Sequence, residues 1–396
     1  MTDRVERVCA RRGPCDDPAT ESPPCSVPHL AAVKHRLQVG RPLPFNVRDS
    51  DKTLLLARGH VVETGAQLEA LFARGALVDI AELRSAAETV REAPAEKLPG
   101  LWRESLSRLN EVLFDSAKAG FIDALEEATP AVLALVERDP DLAIFQVLRQ
   151  DGNEHVQYGC THSTHAAITA LLVAQRLGWS EGDAQRAFKA ALTMNVSMLE
   201  LQGELAQQFR PVSDEQREAI RAHPAFSARM LEISGVTDRE WLRAVAEHHE
   251  TPDGMGYPLG LREVCDIAAL IRRADIYTAK LTPRASRAAM AADQAGRAMF
   301  MQDPGHPMTA ALVKEFGVYP PGCLVRLASG ETGIVVRRGP TVTTPVVAVL
   351  SSPAGQPLAP PQRRDTGQAQ HAVVGIIEAH AGLAAVKPET LVALAA

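Results

Sequence analysis

At 396 residues the chain is too long for one small domain and predicts two or three, each able to bury a core. Its 42 basic and 48 acidic residues leave a net charge of −6, which supplies no global basic field for a polyanion and argues against nucleic-acid binding. No run of about 18 apolar residues offers a membrane span, and with aromatics at only 4% the cores must come mainly from Leu, Val and Ala.

Residues 1–28 lack the apolar stretch of a signal peptide and are rich in Pro, Asp, Ser and Thr, which predicts a disordered head on a cytoplasmic protein. Cys9, Cys15 and Cys25 are loosely spaced with no histidine between them, so disorder outweighs a metal knuckle there. The scattered Cys160, Cys265 and Cys323 fit a reducing compartment.

Residues 29–80 alternate short apolar runs with turn signals, as in PFNVRDSDKTLLLARGHVV, and predict a small β-rich module. Leu68, Leu71 and Phe72 recur at helical spacing and give that module an α+β character. Residues 81–100 are polar, with Glu, Ala and Pro, and are expected to be a linker.

Residues 101–310 predict an all-helical domain. Leu106, Leu109 and Leu113 mark one face, Thr129-Pro130 suggests an N-cap followed by proline at the first helical position, and residues 222–235 form a helix closed by glycine. From residue 311 the pattern changes. YPPGCLVRLASGETGIVVRRG and TVTTPVVAVL predict a hairpin and a further strand, with LAPPQRR as an irregular excursion inside a small C-terminal β domain that runs to residue 396. The expected fold is therefore mainly α, with small α+β and β modules on its flanks.

The chemistry concentrates in the run HHETPDGMGYPLG at residues 248–260. Neither helix propensity nor packing requires this ordered set of histidines, carboxylates and glycines. His162, His223, His248, His249 and Asp275 are the candidate metal ligands, neutral imidazoles and a carboxylate suiting iron or manganese. A lone Asp275 in an apolar helix needs a partner. On a helix, side chains of adjacent residues point about 100° apart, so His248 and His249 are expected to diverge and to suit two neighbouring metals better than one. Gly254 and Gly256 permit positive φ and close backbone approach, and Pro258 stiffens the exit. His155, His165, His306, His371 and His380 are assigned structural or surface roles.

With those residues in place, the chain resembles HD-GYP domains, members of the HD superfamily of metal-dependent phosphohydrolases whose known substrate is cyclic di-GMP. The resemblance runs in order through His162-Ser163, His223-Pro224, the HHE to GYP signature, ADIYTAK and TPRASR, about a third of the chain. It implies an all-helical HD-type domain and a di- or trinuclear metal centre. It also implies a ligand-binding role for Gly254, Gly256, Tyr257, Pro258, Arg284 and Arg287. A guanidinium suits phosphate recognition, although a solvated helix face would also explain the two arginines.

One element departs from the family. Aligned on AAL at residues 190–192, the eponymous His-Asp pair and its following glycine and lysine fall on Met194, Asn195, Ser197 and Met198. In the family the aspartate is shared by two metals and the lysine contacts phosphate, whereas a thioether and a neutral amide are weak ligands for hard metals. The expectation is one weakly held iron or manganese ion rather than a full di-metal centre, with hydrolysis reduced or lost. The chain is then a degenerate member acting as a binding or interaction module for cyclic di-GMP, GGDEF-type cyclases or other signalling proteins. An active phosphodiesterase with a remodelled metal site, and a scaffold working through surface contacts alone, stand as alternatives.

Overall fold

The computed structural model describes residues 29–79, 83–148 and 158–377, together with Glu389 and Leu394. The expected disordered head, with its three cysteines, lies outside the described residues, as do His155 and His380. The chain divides into two compact units between Ser85 and Ala86.

In the first unit, β1 (Val47–Arg48) and β2 (Leu54–Leu56) form an antiparallel hairpin around the DSDK turn. The Asp49 N–H donates to the Thr53 carbonyl, and Lys52 adopts a positive φ of 69°. Helix α1 (Gly65–Ala73) opens with a reciprocal capping box between Thr64 and Gln67. Leu30, Phe45, Val47 and Val78 form the centre of a small separate core. The strands are shorter than the apolar runs suggest, because turns and a 3-10 helix at Leu30–Arg36 fill much of the module.

The second unit opens with α2 (Ala86–Glu92), so the stretch expected as a linker is partly helical. Ala87 and Val90 are buried in the main core, which is what orders it despite its polar composition. After α3 (Leu98–Phe114) comes α4 (Phe121–Arg138), and here the N-cap reading of Thr129-Pro130 is wrong. Helix α4 runs straight through Pro130, and the Thr129 hydroxyl donates back to the Leu125 carbonyl at 2.7 Å. A proline inside a helix costs about 3 kcal/mol. Burial of Leu125, Val132, Leu135 and Val136 on both sides of it offsets that cost.

Helix α5 (Pro140–Leu148) precedes α6 (Tyr158–Arg176), which is buried from Tyr158 to Ala174 except at Thr161. Its small residues let neighbours come close: a Cβ on Gly159 would lie 2.5 Å from the Leu199 carbonyl oxygen. Around it pack α7 (Glu181–Thr193), α8 (Leu199–Gln207) and α11 (Asp266–Leu281), with α9 (Asp214–Ile233) and α10 (Arg239–Glu247) beyond. The bundle closes with α12 (Ala292–Gln302) and α13 (Pro307–Phe316), the last of which spans the boundary expected at residue 310.

A five-stranded antiparallel sheet follows in the order β6-β5-β4-β3-β7. Its strands are β3 (Leu324–Leu327), β4 (Thr332–Arg337), β5 (Val346–Ser351), β6 (Pro357–Asp365) and β7 (Val373–Ile376). Alternation splits its faces: Ile334, Val336, Ala348 and Leu350 join the helical core, whereas Val335, Val347 and Val349 close a second cluster with Val325. LAPPQRR is not an excursion but part of β6, at the sheet edge, where a missing proline N–H is tolerated. Arg338 pairs with Asp141 of α5 and Glu315 of α13, tying the sheet to the bundle.

Candidate metal centre

Four elements supply the candidate ligands: His223, His248 and His249 form one tight group, and Asp275, bonded to His162, lies within electrostatic range of it. Helix α6 contributes His162 one turn inside its start, α9 contributes His223, the end of α10 contributes His248 and His249, and α11 contributes Asp275. The expected divergence of the adjacent histidines does not occur. Helix α10 stops at Glu247, His248 is its C-cap and His249 lies in the turn beyond, where a 100° rotation per residue no longer applies. Their ring centroids are 4.2 Å apart.

His223, His248 and His249 can each present a ligand atom within 4.8 Å of the others. The hydrogen bonds define which atoms are free. Nδ1 of His223 donates to the Ile220 carbonyl at 2.6 Å, and Nδ1 of His248 donates to the Val245 carbonyl at 2.7 Å. Each neutral ring therefore carries its proton on Nδ1, and the two Nε2 lone pairs face one another at 3.1 Å. Metal-bound imidazoles normally give their second nitrogen to a backbone carbonyl in this way, and two Zn–N or similar bonds of about 2.1 Å at a tetrahedral angle span roughly 3.4 Å. The donor set fits a divalent transition metal.

Burial keeps these rings uncharged. It pushes His223 down to about 3, helped by the neighbouring His248, and lowers His248 and His249 in the same direction. Asp275 answers as a paired carboxylate: Nε2 of His162 donates to its Oδ1 at 2.8 Å. Burial alone would raise its carboxyl, but that hydrogen bond and the surrounding imidazoles hold it well below the usual carboxylate range. Nδ1 of His162 is buried without a hydrogen-bond partner.

The loop over the cluster is built on Glu250. Its carboxylate accepts the backbone N–H groups of Leu259 (2.7 Å), Gly260 (3.2 Å) and Leu261 (2.9 Å) and is itself buried. Gly254 takes a φ of 76°, and a Cβ on Gly256 would lie 2.5 Å from both the Glu250 Cα and the Thr251 nitrogen. Close backbone approach, rather than positive φ, is what requires glycine at 256. Tyr257 stacks on His249 at 4.5 Å and precedes Pro258 through a cis peptide bond.

Met194 and Asn195 occupy the end of α7 and the turn beyond, both fully buried. The Asn195 Nδ2 has no hydrogen-bond partner. The nearby Ser197 hydroxyl donates to the His223 carbonyl at 3.1 Å and contacts Ser227, fixing α9 where the imidazole enters the cluster.

Arg284 and Arg287 follow α11 in a loop, not on a helix face, and bridge each other through their backbones. Nε of Arg284 donates to the Tyr158 hydroxyl at 3.1 Å, and Tyr158 stacks on His162 at 6.0 Å; the Arg287 side chain donates to the Ala279 carbonyl. Of the other histidines, His165 is buried on α6 and His306 caps α13. The sequence reading missed the roles of Tyr158 and Glu250. For Glu250 the signal was present, since it lies inside the signature.

Residues 146–303 match the family model described as an HD domain. Over 294 residues the chain is 28% identical to a cyclic di-GMP phosphodiesterase of Pseudomonas aeruginosa, a match that covers 73% of this chain and 68% of the relative. Over 141 residues it is 30% identical to a 3'3'-cGAMP-specific phosphodiesterase of Vibrio cholerae, covering 35% of this chain and 30% of that protein. Among solved structures, a HDG"Y"P protein from Bdellovibrio bacteriovorus superposes with a TM-score of 0.48 at 17% identity, over 73% of this chain and 98% of that one. No helix among the described residues is long and apolar enough to cross a membrane.

Proposed function

The chain carries an HD domain and belongs to the HD-GYP family, and from that premise we propose that it binds a metal ion and a cyclic dinucleotide, cyclic di-GMP foremost, with hydrolysis reduced or lost. The observation that carries this reading is a contrast between two of the family's motifs. His223, His248 and His249 converge as neutral donors, while the buried Met194 and Asn195, at the aligned positions of the His-Asp pair, offer neither charge nor a hard ligand.

His223, His248 and His249 would hold a single iron or manganese ion, with Asp275 supplying negative charge close by and its pairing with His162 fixing that carboxylate. When bound, such an ion acts as a Lewis acid toward a phosphoryl oxygen. The residues themselves do the rest: Glu250 shapes the loop that presents Tyr257, and Arg284 lies beside Tyr158 at the His162 end. A phosphodiesterase with a remodelled site is the second reading, favoured by the retention of His162 and Asp275 as a hydrogen-bonded pair.

Calorimetric titration with cyclic di-GMP, with and without manganese or iron, paired with a hydrolysis assay, separates the two. Metal-dependent binding with little turnover is the expected outcome. Turnover at rates typical of active phosphodiesterases would overturn it in favour of the second reading.

A further inference from the structure

Two consecutive arginines on α11 have opposite fates. Arg273 is buried and fully engaged: its Nε donates to the Thr309 hydroxyl at 3.1 Å, one Nη donates to the Ala269 carbonyl at 2.7 Å and the other pairs with Asp303. Arg272, about 100° around the helix, is half-buried and has no ion pair or hydrogen bond among the described residues. It precedes Asp275 by three positions and so shares its face of α11, the face turned to the histidine cluster.

Half-burying a guanidinium strips part of its hydration, and no protein hydrogen bond replaces it among the described residues. The carboxylates within electrostatic range of Arg272 are Asp275, Asp303 and Asp253, and each is already committed. Asp275 accepts from His162, Asp303 from Arg273, and Asp253 from the Thr251 hydroxyl and the Met255 N–H. The imidazoles beside it are neutral and cannot compensate it. Tyr257 and His249 lie within electrostatic range of it as well, which agrees with its place on the side of α11 that Asp275 turns toward the histidine cluster.

We propose that Arg272 is an anion-recognition residue of this pocket, its guanidinium pairing with a phosphodiester oxygen of the bound ligand. The inference rests on the cyclic-dinucleotide reading above and deepens it. A planar fork with five donors matches a phosphate's two non-bridging oxygens, and the surrounding low-dielectric wall strengthens the pair. At the His162 end, Nε of Arg284 donates to the Tyr158 hydroxyl, whereas no part of the Arg272 guanidinium has a protein hydrogen-bond partner among the described residues.

The test is calorimetric titration of the manganese-loaded full chain with cyclic di-GMP, for wild type, Arg272→Ala and Arg272→Lys, with metal content and melting temperature measured alongside. A lost charge-assisted pair predicts about 10 to 100-fold weaker binding for Arg272→Ala and partial recovery for Arg272→Lys. Metal content should not change, and the ligand-free melting temperature should hold or rise, because an unpaired half-buried charge has been removed. Binding within twofold of wild type, or a fall in melting temperature with loss of metal, overturns the assignment. If wild type does not bind cyclic di-GMP, thermal shift with inorganic phosphate decides. Stabilisation of wild type but not of Arg272→Ala keeps the anion site while sinking the dinucleotide reading, and stabilisation of both or neither sinks the site.

Discussion

Nε2 of His223 and Nε2 of His248 approach to 3.1 Å while each ring's only proton is held on Nδ1 by a backbone carbonyl. Two lone pairs aimed at one another repel unless a cation sits between them. Adding manganese or iron to chelator-treated protein should therefore raise its melting temperature, by the equivalent of about 2.7 kcal/mol at a hundredfold excess over Kd. His248→Ala should abolish that response. A melting temperature indifferent to metal would remove the case for a metal centre.

Acid should destabilise the metal-free protein over a defined window. An unfolded histidine titrates near 6.5, whereas burial pushes His223 down to about 3. Between those values the unfolded chain binds more protons than the folded one, so the stability is complete above about pH 6.5 and is lost as pH falls toward 3. Asp275, whose folded value is also depressed, adds its own loss only below about pH 4. By pH 5 the histidine contribution amounts to about 2 kcal/mol per independent ring. Urea midpoints at pH 7.5 and 5.0 measure it, and equal midpoints would show that the rings are not buried neutral.

The GYP loop should depend on one carboxylate. Glu250 accepts three backbone N–H groups from Leu259, Gly260 and Leu261. In Glu250→Gln one of those acceptors becomes an amide that cannot accept, which leaves a backbone donor unmet at a cost of about 1 to 3 kcal/mol. The expected readout is faster hydrogen exchange at those three amides, weaker ligand binding and near-normal metal content. Unchanged exchange would mean the loop is held by something else.

Residue patterns reported the helices, the hairpin turns and the identity of the histidine cluster because each rests on local spacing. What they missed depended on burial that spacing does not encode. Pro130 reads as a helix start, yet the apolar face of Leu125, Val132 and Leu135 carries α4 through it. LAPPQRR reads as irregular, yet its edge position lets prolines sit in a strand. His248 and His249 were expected to diverge because their helix was taken to continue through them, and only its end at Glu247 lets the rings converge. Arg272 stayed hidden for a different reason: whether an arginine is spent or free is a property of its neighbours, and only Arg273 turned out to be spent.

The contrast between Met194-Asn195 and the histidines gives the sharpest functional prediction. Asn195 is buried and its Nδ2 has no hydrogen-bond partner, so Asn195→Asp is nearly isosteric and exchanges an orphaned donor for a charged oxygen. Without metal, a buried unpaired carboxylate should destabilise the fold by about 3 kcal/mol. With manganese the same carboxylate becomes a ligand, so the variant should gain more stability on metal addition than wild type does. Adding Met194→His supplies a second hard donor, and the double variant should bind more metal per chain and hydrolyse cyclic di-GMP faster than wild type. Metal analysis and turnover measured on the same preparations decide the matter. If wild type already matches the double variant in both, Met194 and Asn195 are not what limits the chemistry, and the remodelled-phosphodiesterase reading takes precedence.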